Sequence, residues 1–200
     1  MTARMLRKMF AITASAMAIL AGVGCGVSAG TSRAGPYSPV SEGDRDEAKA
    51  AKLTKQAAEL IDTKPDEAEK LLREALNADL YHGPAHNNLG VVYLAQGKLY
   101  EAAGEFEWAR KVMPGHPDPR MNLAFTLELA GRTDDAIATY ASALEVYPDH
   151  LPTMQALARL QLRSGRTDER TRHYLDEIVM RGETPEWQQW ARAQQARTRP

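Results

Sequence analysis

Residues 83–150 hold one pattern written twice, at an offset of 34. Leu89 answers to Leu123, Gly90 to Ala124, Tyr93 to Leu127 and Gly97 to Gly131. Ala102 then answers to Ala136, Phe106 to Tyr140, Ala109 to Ala143 and Pro114 to Pro148. A unit of this length cannot bury its apolar face alone, so its copies must stack. Such a chain folds as a one-dimensional array rather than around one closed core. Arrays of this kind expose long surfaces that hold partners and seldom carry chemistry.

The unit is helical. From Asp44 onward the apolar residues recur at helical spacing, and Ala and Leu, both strong helix formers, dominate. The two clean copies predict helices over about 84–96 and 99–112, then 118–130 and 134–146. Gly97 and Gly131 stand where a left-handed cap ends the first helix of each pair. Pro114 and Pro148 stop the second, and Thr133 is placed to cap a helix.

The outer copies decay. A first pair over about 50–82 puts Leu53, Ala57, Leu60 and Ile61 on one face, with one residue fewer in its internal turn. Pro65 opens its second helix, and Asp66, Glu67 and Glu69 suit the positive end of that helix. Its inward face is Ala68, Leu71, Leu72, Ala75 and Leu76. A fourth pair, about 152–164 and 168–181, keeps Leu157, Ala158, Gly165 and Tyr174. It places Gln161, Arg170 and Glu177 at small or apolar positions, as expected of an array end that meets water. A last helix, about 185–196, follows Thr184 and carries Trp187 and Trp190 as a capping core, with a basic tail of Arg192, Arg197 and Arg199.

The N-terminus reads as an export signal. Arg4, Arg7 and Lys8 precede an apolar stretch from Met9 to about Val23, and no acid appears before Glu42. Two cleavage sites compete. Gly22-Val23-Gly24-Cys25 resembles a bacterial lipobox, which would make Cys25, the one cysteine, a lipidated N-terminus. Val27-Ser28-Ala29 would serve ordinary secretion. The uncharged run from Met9 to Ser32 is also long enough to span a bilayer uncleaved. Residues 26–43 are rich in Gly, Ser and Pro and read as a flexible linker. Without residues 1–24 the chain holds 22 basic and 26 acidic residues, which gives no reason to expect nucleic-acid binding.

The repeat resembles the tetratricopeptide repeat family. Its pattern appears as His86-x2-Leu89-Gly90-x2-Tyr93, Ala102-x3-Phe106 and Pro114, with His86 where the family has Trp. The resemblance covers about residues 50–184. It implies an all-α, right-handed superhelical solenoid of antiparallel helix pairs. Four repeats (about 50–82, 83–116, 117–150 and 151–184) and the capping helix then form one domain, 44–198.

The resemblance also implies that the first helix of each pair lines a concave groove. Its exposed positions are then Asn87, Val91 and Leu94, Met121, Phe125 and Leu129, and Gln155, Arg159 and Arg163. Asn88 and Asn122 share a register, like the asparagine ladder with which some members hold a peptide backbone. Lys55 and Ala156 interrupt the ladder on either side. An amide donates and accepts, so it grips a backbone without reading its sequence; the alternative is that both amides bond neighbouring turns. Asp118 and Met121 stand where a clamp for terminal carboxylates needs basic groups, which argues against that ligand.

His82, His116 and His150 also recur at 34, in the turns between repeats. Successive repeats are displaced by about one helix diameter, roughly 10 Å, too far for three ligands of one metal ion. No phosphate-binding loop, dinucleotide glycine pattern or HExxH is present. The reading is an exported scaffold with no enzymatic activity, cofactor, metal or small-molecule substrate. It holds a protein or peptide in the groove formed by Asn87, Asn88, Val91, Met121, Asn122, Phe125 and Arg159. Lipid on Cys25 would anchor it to a membrane facing the periplasm; the alternative is a soluble periplasmic or secreted protein. A second reading is an adaptor docking on an envelope enzyme or on a pilus or secretion assembly.

Overall fold

The computed structural model describes residues 45–198. The expectations for the export signal, Cys25 and the linker concern residues outside that range. The described residues form helices and turns only: α1 (Glu47–Ala58), α2 (Pro65–Ala78), α3 (Gly83–Ala95), α4 (Leu99–Val112), α5 (Pro117–Leu129), α6 (Thr133–Val146), α7 (Leu151–Arg163), α8 (Glu169–Arg181) and α9 (Pro185–Thr198). Neighbours pack as α1 on α2, α3 on α4, α5 on α6 and α7 on α8. Each second helix meets the first helix of the next pair, and α9 covers α8. This is the expected helical solenoid.

The local signals explain the turns. Gly97, Gly131 and Gly165 have φ of 76°, 76° and 69°, the left-handed cap at the same point of three pairs. Gly90 has another role. A Cβ there would lie 2.6 Å from the Phe106 ring, so the missing side chain lets α4 sit close on α3. Thr133 does not cap α6: it is the first helical residue, and Arg132 holds the cap position without a side-chain capping bond. The second helix of the next pair is capped by side chains, where Asp168 and Thr171 form a reciprocal capping box.

Two turns shift the register of the outer repeats. Residues 59–64 link α1 to α2, whereas 96–98 link α3 to α4. The first internal turn is therefore longer, not shorter, than the next, and Leu60 and Ile61 lie in it. The buried residues Ala50, Thr54 and Ala57 then match His86, Gly90 and Tyr93, an offset of 36. In this register Lys52, not Lys55, corresponds to Asn88.

The connection 164–168 between α7 and α8 is likewise longer than 130–132. Thr171, Leu175 and Ile178 become the buried counterparts of Ala136, Tyr140 and Ala143. Arg170, Tyr174 and Glu177 consequently do not take the inward positions that a strict period of 34 assigns them. Of Gln161, Arg170 and Glu177 only Gln161 keeps an inward position, and Thr171 Oγ1 donates to it at 3.0 Å. The last pair keeps an apolar inner face and is closed by α9, where Trp187 and Trp190 meet edge to face at 5.3 Å.

Candidate functional site

The first helices form one layer. α1 meets α3 and α3 meets α5, while α5 and α7 are joined through Glu128. Asn122 Nδ2 donates to Asn87 Oδ1 at 3.0 Å across α5 and α3. Thr126 Oγ1 donates to the Asn122 carbonyl one turn back. Asn122 is 1 % exposed, and its Oδ1 has no partner among the described residues.

The register that pairs Asn88 with Asn122 is therefore not the contact the fold makes. Asn88 is half-buried, and Asn87 takes the bond. The amides that line the groove in sequence act here first as a bolt between two repeats.

The layer is also tighter than expected. Asn87, Phe125 and Gln155 were assigned exposed positions and are buried. First helices close enough for two short amides to touch leave little room between them. Val91, Leu94 and Met121 are half-buried, and Leu129 is 52 % exposed. The remaining open surface is apolar in the middle and charged toward α7.

Arg159 is half-buried, and its Nη2 lies 3.1 and 3.2 Å from the two oxygens of Glu128. Arg163 Nη2 reaches the same carboxylate at 2.9 Å, and the Tyr140 hydroxyl donates to it at 3.4 Å. The Glu128 side chain is only 6 % exposed. Burial, together with the Glu128 charge, pushes the Tyr140 hydroxyl well above the usual phenol range. The sequence reading missed Glu128. Its signal was the one acid in the last turn of α5, one repeat before two arginines spaced one helical turn apart on α7.

The spaced histidines fall at helix starts: His82, His116 and His150 are the cap positions of α3, α5 and α7. Asp118 lies between the last two, 3.7 Å from His116 Nδ1 and 3.6 Å from His150 Nε2. His86 is fully buried. Its ring stacks on Trp108 at 5.5 Å, so Trp108 supplies aromatic bulk beside the position where the repeat pattern has Trp.

Comparison with protein families matches the tetratricopeptide repeat over residues 62–117, 94–155 and 127–169, together more than half of the chain. The chain belongs to the tetratricopeptide repeat family. Curated proteins give no sequence match.

Among solved structures, this tetratricopeptide repeat protein is similar to Pseudomonas aeruginosa PilF. The TM-score is 0.64 at 16% identity, over 75% of this chain and 70% of that one. It is similar to the first repeat domain of Spaghetti (RPAP3) bound to the HSP90 peptide SRMEEVD. There the TM-score is 0.57 at 18% identity, over 61% of this chain and 98% of that one. A third likeness is to a Thermobaculum terrenum O-GlcNAc transferase mutant, with TM-score 0.59 and 21% identity, over 72% of this chain but 26% of the enzyme. At these identities the likeness is one of fold.

Proposed function

We propose that this chain is a protein-interaction scaffold of the bacterial cell envelope, which holds a peptide or protein segment against its layer of first helices. The observation that carries this reading is the layer itself: half-buried Val91, Leu94 and Met121 and exposed Leu129, bordered by the amides of α3 and the arginines of α7. An apolar strip with polar edges is the surface that an extended or helical peptide covers. A related fold with the HSP90 peptide SRMEEVD bound supports it. The envelope placement rests on Arg4, Arg7 and Lys8, the apolar run after them and Cys25.

Crosslinking in cells tests the groove. Met121→Glu with Leu129→Glu, both on surface-accessible positions, is expected to lose crosslinks that the wild type makes. Unchanged crosslinks would sink the groove reading. Labelled palmitate entering the wild type but not Cys25→Ser tests the anchor separately. Label in neither protein would remove the lipoprotein assignment and leave ordinary secretion or an uncleaved span.

A further inference from the structure

The charge on the layer of first helices runs against the charge of the chain. Acids outnumber bases beyond residue 24. Yet α7 carries no acid and two arginines, and the only ionisable groups of α3 are His86 and Tyr93, both buried. On α1, Lys52 and Lys55 are exposed, in the structural register of Asn88 and Val91. Neither makes an ion pair among the described residues.

The acids of the layer are paired or sit at helix ends. Asp46 caps α1, Glu47 pairs with Arg45, and Glu59 follows the last residue of α1. Asp118 lies between His116 and His150. Glu128 is already held by two guanidinium groups, and two cations on one carboxylate leave a local excess of one positive charge. Arg159 Nε is buried without an acceptor, and Arg163 is 58 % exposed with only Nη2 engaged by Glu128.

We propose that the layer takes an acidic, extended peptide segment. Its side-chain carboxylates meet Arg163 and Arg159 at one end and Lys52 and Lys55 at the other. Its small or apolar side chains lie over Val91 and Met121 between them. Guanidinium groups bind carboxylates through parallel N–H bonds, and ammonium groups attract them as point charges.

The dimensions agree. Three steps of about 8–10 Å between packed helices separate α1 from α7. An extended strand rises about 3.3 Å per residue, so a segment of roughly eight residues spans the two basic ends. The recognised groups are side-chain carboxylates, because Asp118 and Met121 stand where a terminal-carboxylate clamp needs bases. This inference rests on the scaffold reading and adds the partner's chemistry.

Fluorescence anisotropy of the full chain tests it, with a labelled, C-terminally amidated peptide of alternating Glu and Ala. Peptides with Gln or Lys in place of Glu are the controls. The Glu peptide is expected to bind, to weaken as salt rises, and to outbind the Gln peptide by about tenfold. Lys52→Gln with Arg163→Gln, which adds no acid beside Glu128 and leaves Arg159 on it, is expected to cut that preference several-fold while keeping the thermal midpoint near that of wild type.

The inference is overturned if the Glu peptide does not bind, if the Gln or Lys peptide binds as tightly, or if the double variant keeps the preference in full. It is also overturned if phosphatidylglycerol vesicles, and not the peptide, bind in a manner the double variant abolishes. Loss of crosslinks in Met121→Glu/Leu129→Glu together with indifference to peptide charge would leave the scaffold standing and remove only the acidic partner.

Discussion

Asn122 on α5 donates from Nδ2 to Asn87 Oδ1 on α3 at 3.0 Å, and both side chains are buried. The bond crosses from one repeat to the next. Asn122→Ala leaves the Asn87 oxygen without this donor in a dry site, which costs about 1–2 kcal/mol. Asn88→Ala, at a half-buried position outside the pair, is expected within about 0.5 kcal/mol of wild type. Urea unfolding of the two variants measures the difference. Equal losses would show that the bolt contributes nothing specific.

That contact also marks how far the sequence could be read. The period of 34 located α3 to α6 because no residue is inserted between Gly83 and Val146. It failed at both ends for one physical reason. A turn can absorb extra residues without changing the spacing inside a helix; reading the first internal turn as one residue shorter, an offset of 33, slid Ala57 onto Gly90, where the fold places Thr54. The same slip made the fourth pair look polar until Thr171, Leu175 and Ile178 took their places. In the site, the register of Asn88 and Asn122 was legible, but the partner of Asn122 was not. Which residue of α3 faces α5 depends on how two helices cross, and a period carries no crossing angle. Arg159 was legible as a groove position. Its capture by Glu128, thirty-one residues earlier, is a tertiary fact.

Gly90 is small because of Phe106. A Cβ at Gly90 would stand 2.6 Å from one ring carbon of Phe106 and 2.8 and 2.9 Å from two others, and Phe106 is itself fully buried. The ring has nowhere to go without moving α4. Gly90→Ala would gain helix propensity of about 1 kcal/mol in an open helix. Here overpacking costs of about 1–3 kcal/mol oppose and exceed that gain. The variant is therefore expected to melt below wild type, and Gly90→Val lower still. A Gly90→Ala protein more stable than wild type would mean that propensity, not packing, decides at this position.

The turn histidines make stability depend on pH. Burial holds His150 below its ordinary value of 6.5, with the nearby His116 adding to the effect and Asp118 opposing it. Burial likewise lowers His82; Asp79 and Glu47 oppose that shift, and His86 and Arg45 add to it. A histidine lowered in the fold binds its proton more readily when unfolded. Stability is therefore complete above about pH 6.5 and declines as pH falls through the lower folded values. Asp79 does not blur this window. Burial raises it, but the Arg45 bond, the Tyr81 amide and the charges of Arg45 and His82 outweigh burial and hold it below 3.8, so its own loss begins only in stronger acid. The thermal midpoint is expected to drop between about pH 7.5 and pH 5, and His82→Gln with His150→Gln to flatten that slope. A midpoint that is level or rises toward acid would refute the assignment.

His86 and Glu105 form the most buried ionisable contact of the fold. The imidazole Nδ1 lies 2.6 Å from Glu105 Oε2, and Nε2 lies 2.8 Å from the Leu80 carbonyl oxygen. A carbonyl can only accept, so Nε2 donates to it, and one further proton must lie between Nδ1 and the carboxyl group. The three groups come from α3, α4 and the turn after α2, so the contact joins two repeats at the place where the repeat pattern carries Trp. His86→Phe keeps a ring over Trp108 but takes both ring nitrogens away. Taking the ring nitrogens away leaves the Glu105 carboxyl and the Leu80 carbonyl without this buried partner, at about 3–5 kcal/mol, whereas Glu105→Gln can donate its amide N–H to Nδ1 of an imidazole protonated at Nε2 and is expected to cost about 1 kcal/mol. Chemical denaturation of both variants ranks them. If His86→Phe were as stable as wild type, the aromatic stack on Trp108 alone would hold this junction and the polar contact would be incidental.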